Sequence, residues 1–290
     1  MTKRILVVAL SIVSLLITSC SSDDGPPTSN LTLELIGLEP LTGGASYEAW
    51  LVVDGEPVSI NKFSSVGTTT VFPVVTTTLE SATEFFLSIE APNDADPKPS
   101  KTRILTGTFT GSVAQVVSTT VMADFSSVSG KFVMATPTDN VSDNDEFGIW
   151  FEDPSGIQVA PGLDLPPLAD GWKYEGWVVL TKNGTSFPVS TGTFSDETTF
   201  DDASPYSGNG NAPDYPGEDF INSAPQGLTF PEDGDVRGKM VVISVEPSPD
   251  YDQATPFFIK PLTGTAQQNV APAINTLTAN NNVPFGRVVR

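Results

Sequence analysis

Carboxylates are the only chemically versatile side chains that this sequence supplies in quantity. There are 35 Asp plus Glu against 14 Lys plus Arg, no histidine and one cysteine. Asp139, Asp143, Asp145 and Glu146 cluster just before an apolar run from Phe147 to Phe151, and Glu152 and Asp153 follow it. A second acidic set, Asp196, Glu197, Asp201, Asp202, Asp214, Glu218 and Asp219, is scattered among Gly, Asn, Pro and Ser. Hard oxygen donors on such loops are what calcium requires, with about 6–8 ligands near 2.4 Å. Asp143-Asn144-Asp145 has the alternation of a calcium loop, but neither a bend glycine nor a distal Glu completes an EF-hand. Asp139, Asp143, Asp145 and Glu146 are therefore candidates for one structural calcium, the alternative being solvated loops. Paired carboxylates also leave a glycosidase open, which needs two acids at about 5 Å or ~6.5–9.5 Å. No spacing here singles out such a pair.

The missing residues exclude more. Without histidine there is no Ser-His-Asp or Cys-His machinery and no imidazole ligand for zinc or haem. One cysteine permits no intrachain disulfide and no all-cysteine metal site. A formal charge of −21 argues against nucleic acid, whose phosphates need a concentrated positive field. Phosphate loops, dinucleotide fingerprints and nucleophile elbows are lacking. The expectation is a non-enzyme with no cofactor beyond a structural calcium.

The single cysteine has an address. Lys3 and Arg4 precede a mostly apolar run, Ile5 to Ile17, too short for the ~20 residues of a membrane span but suited to a secretory signal. It ends in Ile17-Thr18-Ser19-Cys20, which resembles the bacterial lipobox, where the cysteine is lipidated and becomes the first mature residue. Two or more acyl chains anchor stably where one does not. Residues 1–19 thus read as a lipoprotein signal peptide and 20–30 as lipidated cysteine and linker. Ser21-Ser22-Asp23-Asp24 resembles the acidic tether of surface-exported lipoproteins of Bacteroidota. The resemblance implies an outer-membrane, lipid-anchored protein at the cell surface, with a periplasm-facing body as the alternative. Loss of the signal makes the body two charges more negative, and an anionic lipid surface repels it.

Beyond the linker, short runs of Val, Ile, Thr and Phe alternate with Gly, Pro, Asn and Asp, the pattern of an all-β chain. Ala82 to Ile89 places Phe85, Leu87 and Ile89 on one face, as expected of a half-buried strand. Asp54-Gly55 and Asn183-Gly184 each sit between strand-like runs and specify type I′ hairpin turns. Aligning these hairpins matches Gly44 with Gly171, Tyr47 with Tyr174, Glu48 with Glu175 and Trp50 with Trp177, without gaps. Pro57-Val58-Ser59 to Phe63 answers Pro188-Val189-Ser190 to Phe194. Leu87-Ser88-Ile89-Glu90 answers Ile243-Ser244-Val245-Glu246, and Leu105-Thr106-Gly107-Thr108 answers Leu262-Thr263-Gly264-Thr265. Four blocks in one order predict two copies of one β unit. Tyr and Trp three apart on a strand face opposite ways, so they are expected to pack in cores and edges rather than form a flat sugar platform. Glu48 and Glu175 share the face of their Trp, and are expected to be structural or solvated, paired with a nearby base or loop.

These blocks resemble the extracytoplasmic C-terminal domain of anti-sigma-K factors. The resemblance covers residues 31–125 and again 130–290, the second copy carrying a long acidic insert at 195–236. It implies two related antiparallel β-sandwich-like domains outside the membrane with no catalytic centre. The sigma-binding helical region and transmembrane helix of true anti-sigma factors are missing from the pattern, so sigma inhibition is not implied. The expected function is non-enzymatic binding, sensing or a structural role, with an unidentified extracellular ligand or protein partner. A carbohydrate-binding or glycan-processing accessory protein is the alternative.

Overall fold

The computed structural model describes residues 25–141, 143–270 and 273–290. The signal segment, Cys20 and the acidic tether lie outside the described residues. Seven strands fill the first half of the chain: β1 (Thr28–Ile36), β2 (Ser46–Val53), β3 (Glu56–Phe63), β4 (Thr70–Val75), β5 (Glu84–Glu90), β6 (Arg103–Thr110) and β7 (Val113–Val117). Then come β8 (Ser129–Val133), β9 (Gly148–Trp150), β10 (Glu152–Asp153), β11 (Ala160–Pro161), β12 (Leu163–Asp164), β13 (Trp172–Lys182), β14 (Thr185–Phe194) and β15 (Gly217–Asp219). The last four are β16 (Met240–Pro247), β17 (Leu262–Thr265), β18 (Ile274–Ala279) and β19 (Phe285–Val289). A short α-helix, α1 (Thr76–Ser81), follows β4.

The two specified turns form as their residues require. Asp54 and Gly55 have φ of 52° and 85°, and Asn183 and Gly184 have 52° and 80°. These left-handed conformations give the turn the twist that joins β2 to β3 and β13 to β14. Each hairpin carries a bulge at the same place, between Ala49 and Trp50 and between Gly176 and Trp177.

Among the described residues all pairings are antiparallel, and the strands form two large sheets and a small β10-β11 pair. The first runs β3-β2-β5-β6-β7-β19-β1-β4, and the second runs β14-β13-β16-β17-β18-β8-β9-β15, with β12 added beside β8. The end strands β3 and β4 lie alongside each other, as do β14 and β15. The two walls expected of a sandwich are thus opposite sides of one rolled, nearly closed sheet. Rolling hides sheet edges that would otherwise offer unpaired backbone groups.

The sheets do not divide where the chain does. β19, at residues 285–289, pairs with β1 on one side and β7 on the other, inside the first sheet. Its place in the second sheet is taken by β8, which follows the first seven strands directly. Arg290 fastens this returning strand. Its guanidinium donates to the carbonyls of Leu79, Glu80 and Ala82 at the end of α1 and to Gly111, and lies 4.5 Å from the centre of the Phe109 ring. Cationic donors at a helix C-terminus satisfy carbonyls that have no partner within the helix.

Ending the chain at Val283 removes a strand from the middle of the first sheet, so β1 and β7 each lose one of two ladder partners. The expected outcome is a loss of several kcal/mol in urea denaturation, on the scale of a whole buried strand. An unchanged midpoint would contradict the placement of β19.

Candidate functional site

Alternation along β2 sends Tyr47, Ala49 and Leu51 to the core and Glu48 and Trp50 to the opposite face. On the neighbouring β5 the core residues are Phe85, Leu87 and Ile89, and the opposite face carries Phe86, Ser88 and Glu90. The run that forms β5 was expected to be half-buried, yet this second face is buried too. Glu48 and Glu90 are 3% and 2% exposed, and Ser88 and Trp50 are equally enclosed. The reason is the loop from Ala91 to Thr102, which turns back over the strand it has just left. Ser100 donates its backbone N–H to Glu90 and its hydroxyl to the Ile89 carbonyl.

Burying these polar groups requires partners for them, and a relay provides them. Trp50 Nε1 donates to Ser88 Oγ at 2.8 Å, Ser88 donates to Glu90, and Ser59 on β3 donates to Glu48. The Trp50 ring stacks on Phe86, with centroids 5.9 Å apart. The Arg103 guanidinium covers the Phe86 ring at 4.1 Å. On the core side, the Tyr47 hydroxyl donates to the Glu39 carbonyl.

The second sheet holds the same contacts at the matching positions. Trp177 Nε1 donates to Ser244 Oγ at 2.8 Å, Ser244 donates to Glu246, and Ser190 donates to Glu175. The loop after β16 returns Phe257 N–H to Glu246 at 2.9 Å, and the Tyr174 hydroxyl reaches the Pro166 carbonyl. Gly44 and Gly171 both take positive φ, 81° and 91°, on the approach to these strands. A Cβ on Gly171 would stand 2.7 Å from the Lys101–Thr102 backbone, where the two halves of the chain touch. Two hydrogen bonds and a surface ion pair accompany that contact: Thr102 Oγ1 to Gly171 O, Trp172 Nε1 to Arg103 O, and Lys101 with Asp170.

Each relay gathers three carboxylates. Glu48, Glu90 and Asp94 bring oxygens within 4.8 Å of one another in the first sheet, as do Glu175, Glu246 and Asp250 in the second. Their charge balance differs. Lys62, the cross-strand partner of Glu48, lies 3.5 Å from Glu48 and 2.9 Å from Asp94. Its hydrogen bond to Asp94 raises the lysine pKa and holds the Asp94 carboxyl below its ordinary range. Opposite Glu175 stands Thr193, which hydrogen bonds Asp202 and brings no charge. Burial then dominates: Glu175 is pushed up to about 7 and Glu246 to about 8, each further raised by neighbouring carboxylates. Asp250 is raised for the same reason.

The acids singled out by sequence lie elsewhere. Asp139 caps its own loop, accepting from Val141 N–H and Asn144 Nδ2, and Asp145 accepts from Thr136 N–H. Glu146 lies 3.5 Å from Arg237. The acidic stretch at 195–236 is not wholly a solvated loop. It contributes β15, whose Glu218 and Asp219 are fully buried. Asp219 accepts from Trp150 Nε1 and from the backbone and hydroxyl of Thr138, while Ser207 donates to Glu218. Asp201 accepts from Gly217 N–H, and burial pushes it up to about 7. Sequence reading missed Glu90, Asp94, Glu246 and Asp250 as site residues. The signal was available: Ser-x-Glu recurs, with an Asp four residues after each Glu.

The raised carboxylates set the sign of a pH effect. In the folded protein Glu175 and Glu246 hold protons to about pH 7 and 8, against an ordinary value of 4.5. The native state therefore binds more protons than the unfolded chain in that interval, and its stability falls as pH rises through it. Urea denaturation with chelator present is expected to show a loss on the order of a few kcal/mol between pH 5 and 8.5. The loss should shrink in Glu246→Gln. Stability that climbs over that range would contradict the buried network.

Comparison with known proteins adds one finding. A family model described as "Anti-sigma-K factor rskA, C-terminal" matches residues 20–103, the stretch that carries β1 to β5 and the first relay. No curated protein and no solved structure matches the chain.

Proposed function

We propose that this chain is a lipid-anchored extracytoplasmic protein whose two β bodies are copies of one unit, serving in binding, sensing or scaffolding rather than catalysis. The observation that carries this reading is the match of residues 20–103 to the anti-sigma-K C-terminal family model, which agrees with the extracytoplasmic domain that the repeated blocks resemble. The second body is read as a duplicate because its sheet order, hairpin bulge, Tyr–carbonyl bond and Trp–Ser–Glu relay fall at matching positions. The relays support a framework role, since their serines and glutamates are used on one another beneath a folded-back loop. Among the described residues no helix is long and apolar enough to cross a membrane, and Cys20 is the proposed attachment point. The acidic body is repelled by anionic headgroups and so is held off the surface by its linker.

Metabolic labelling with an acyl-chain analogue is expected to mark the wild-type protein and not Cys20→Ala. Equal labelling of both would remove the anchor. A glycoside hydrolysis screen should be blank, and turnover of any substrate would overturn the non-enzymatic reading.

A further inference from the structure

The first relay holds a lysine ammonium beside its carboxylates, and the second does not. In the first sheet, where Glu48, Glu90 and Asp94 converge, the ammonium of Lys62 lies 3.5 Å from Glu48 and 2.9 Å from Asp94. In the second, Glu175, Glu246 and Asp250 converge to within the same 4.8 Å, and the residue in the lysine's place is Thr193. The groups facing the cluster from neighbouring elements are the Ser190 and Ser244 hydroxyls and the Phe257 N–H, all donors to its oxygens. Lys260 stands on the wall of the same cavity and makes no ion pair among the described residues.

Two free oxygens point to a ligand. Glu246 is 2% exposed and receives both of its hydrogen bonds on Oε1, leaving Oε2 without a donor among the described residues. Asp250 Oδ2 is sealed from solvent and has no hydrogen-bond partner. Glu246 and Asp250 both line a cavity of about 160 Å³, whose lining also includes Glu39, Leu41 and Thr42 from the first half of the chain. This is room for an ion and several waters, since one water occupies ~30 Å³.

We propose that Glu175, Glu246 and Asp250 bind a divalent cation of the calcium type. Calcium–oxygen distances of about 2.3–2.6 Å place opposite ligands about 5 Å apart, which suits three carboxylates whose oxygens lie within 4.8 Å. Three anionic ligands leave the remaining positions of a 6–8-coordinate ion to water in the cavity. Two charges on the ion offset more of the cluster than one ammonium does, at a cluster that no lysine or arginine pairs with among the described residues. This inference is independent of the anchor and of the family match.

The test is calorimetric titration of the chelator-stripped full-length chain with calcium chloride, beside thermal melts with and without the ion. The expected result is one calcium per chain and a higher melting point when it is bound. Thr193→Lys installs the ammonium that the first sheet already has. It should fold, by circular dichroism, and lose calcium binding at least tenfold. Asp250→Asn should also lose it, whereas Asp143→Asn in the loop before β9 should bind as wild type. Absence of binding at millimolar calcium would overturn the proposal. So would undiminished binding in both Thr193→Lys and Asp250→Asn, or its loss in Asp143→Asn, because either would put the ion elsewhere.

Discussion

A tryptophan indole buried against a serine that is itself spent on a glutamate is the constraint around which both halves of this protein are arranged. A buried carboxylate without donors is costly, so burial of Glu90 and Glu246 obliges the fold to bring donors to them. Each receives one hydroxyl from its own strand and one backbone N–H from the loop that follows. That requirement bends the loops at 91–102 and 248–261 back over the sheet. The second face of the strand is thereby buried, and both large aromatic rings are enclosed. Removing the serine would leave an indole donor and a carboxylate short of a partner together, which is why the two cannot be varied independently.

The same economy explains how the sheets close. Eight strands roll until their ends approach, and the first sheet completes itself only with a strand from the far end of the chain. Arg290 then satisfies carbonyls at the end of α1 that would otherwise lack donors. The halves are therefore linked in two ways, by the returning strand and by the close contact at Gly171 and Gly43. A Cβ on Gly43 would lie 1.9 Å from the Tyr251 carbonyl oxygen, so backbone meets backbone there.

Much of this was legible in the residues. Strand periodicity, the Asp-Gly and Asn-Gly turns and the paired Tyr-Glu-x-Trp blocks pointed to an all-β chain, and the structure is all-β. What sequence could not deliver was the fate of the second strand face. Ser88 and Glu90 look like the solvated half of an alternating strand, because nothing local announces that a loop will return over them. The acids before β9 drew attention by density, yet Asp139 and Asp145 accept from nearby loop groups and Glu146 meets Arg237. Convergence of Glu175, Glu246 and Asp250 depends on pairing β13 with β16, residues about 70 positions apart in the chain. Long-range pairing of this kind is invisible to spacing. The crossover of β19 escaped for the same reason: a short strand at the end of a chain does not say which sheet it joins.

Hydrogen exchange at the four tryptophan indoles tests the buried relay most directly. The account predicts that Trp50 and Trp177 Nε1–H exchange only through global unfolding, with protection close to the full stability of the fold. Both should behave alike, since each donates at 2.8 Å to an enclosed serine. Indole signals that vanish within minutes under native conditions, in either half, would contradict it.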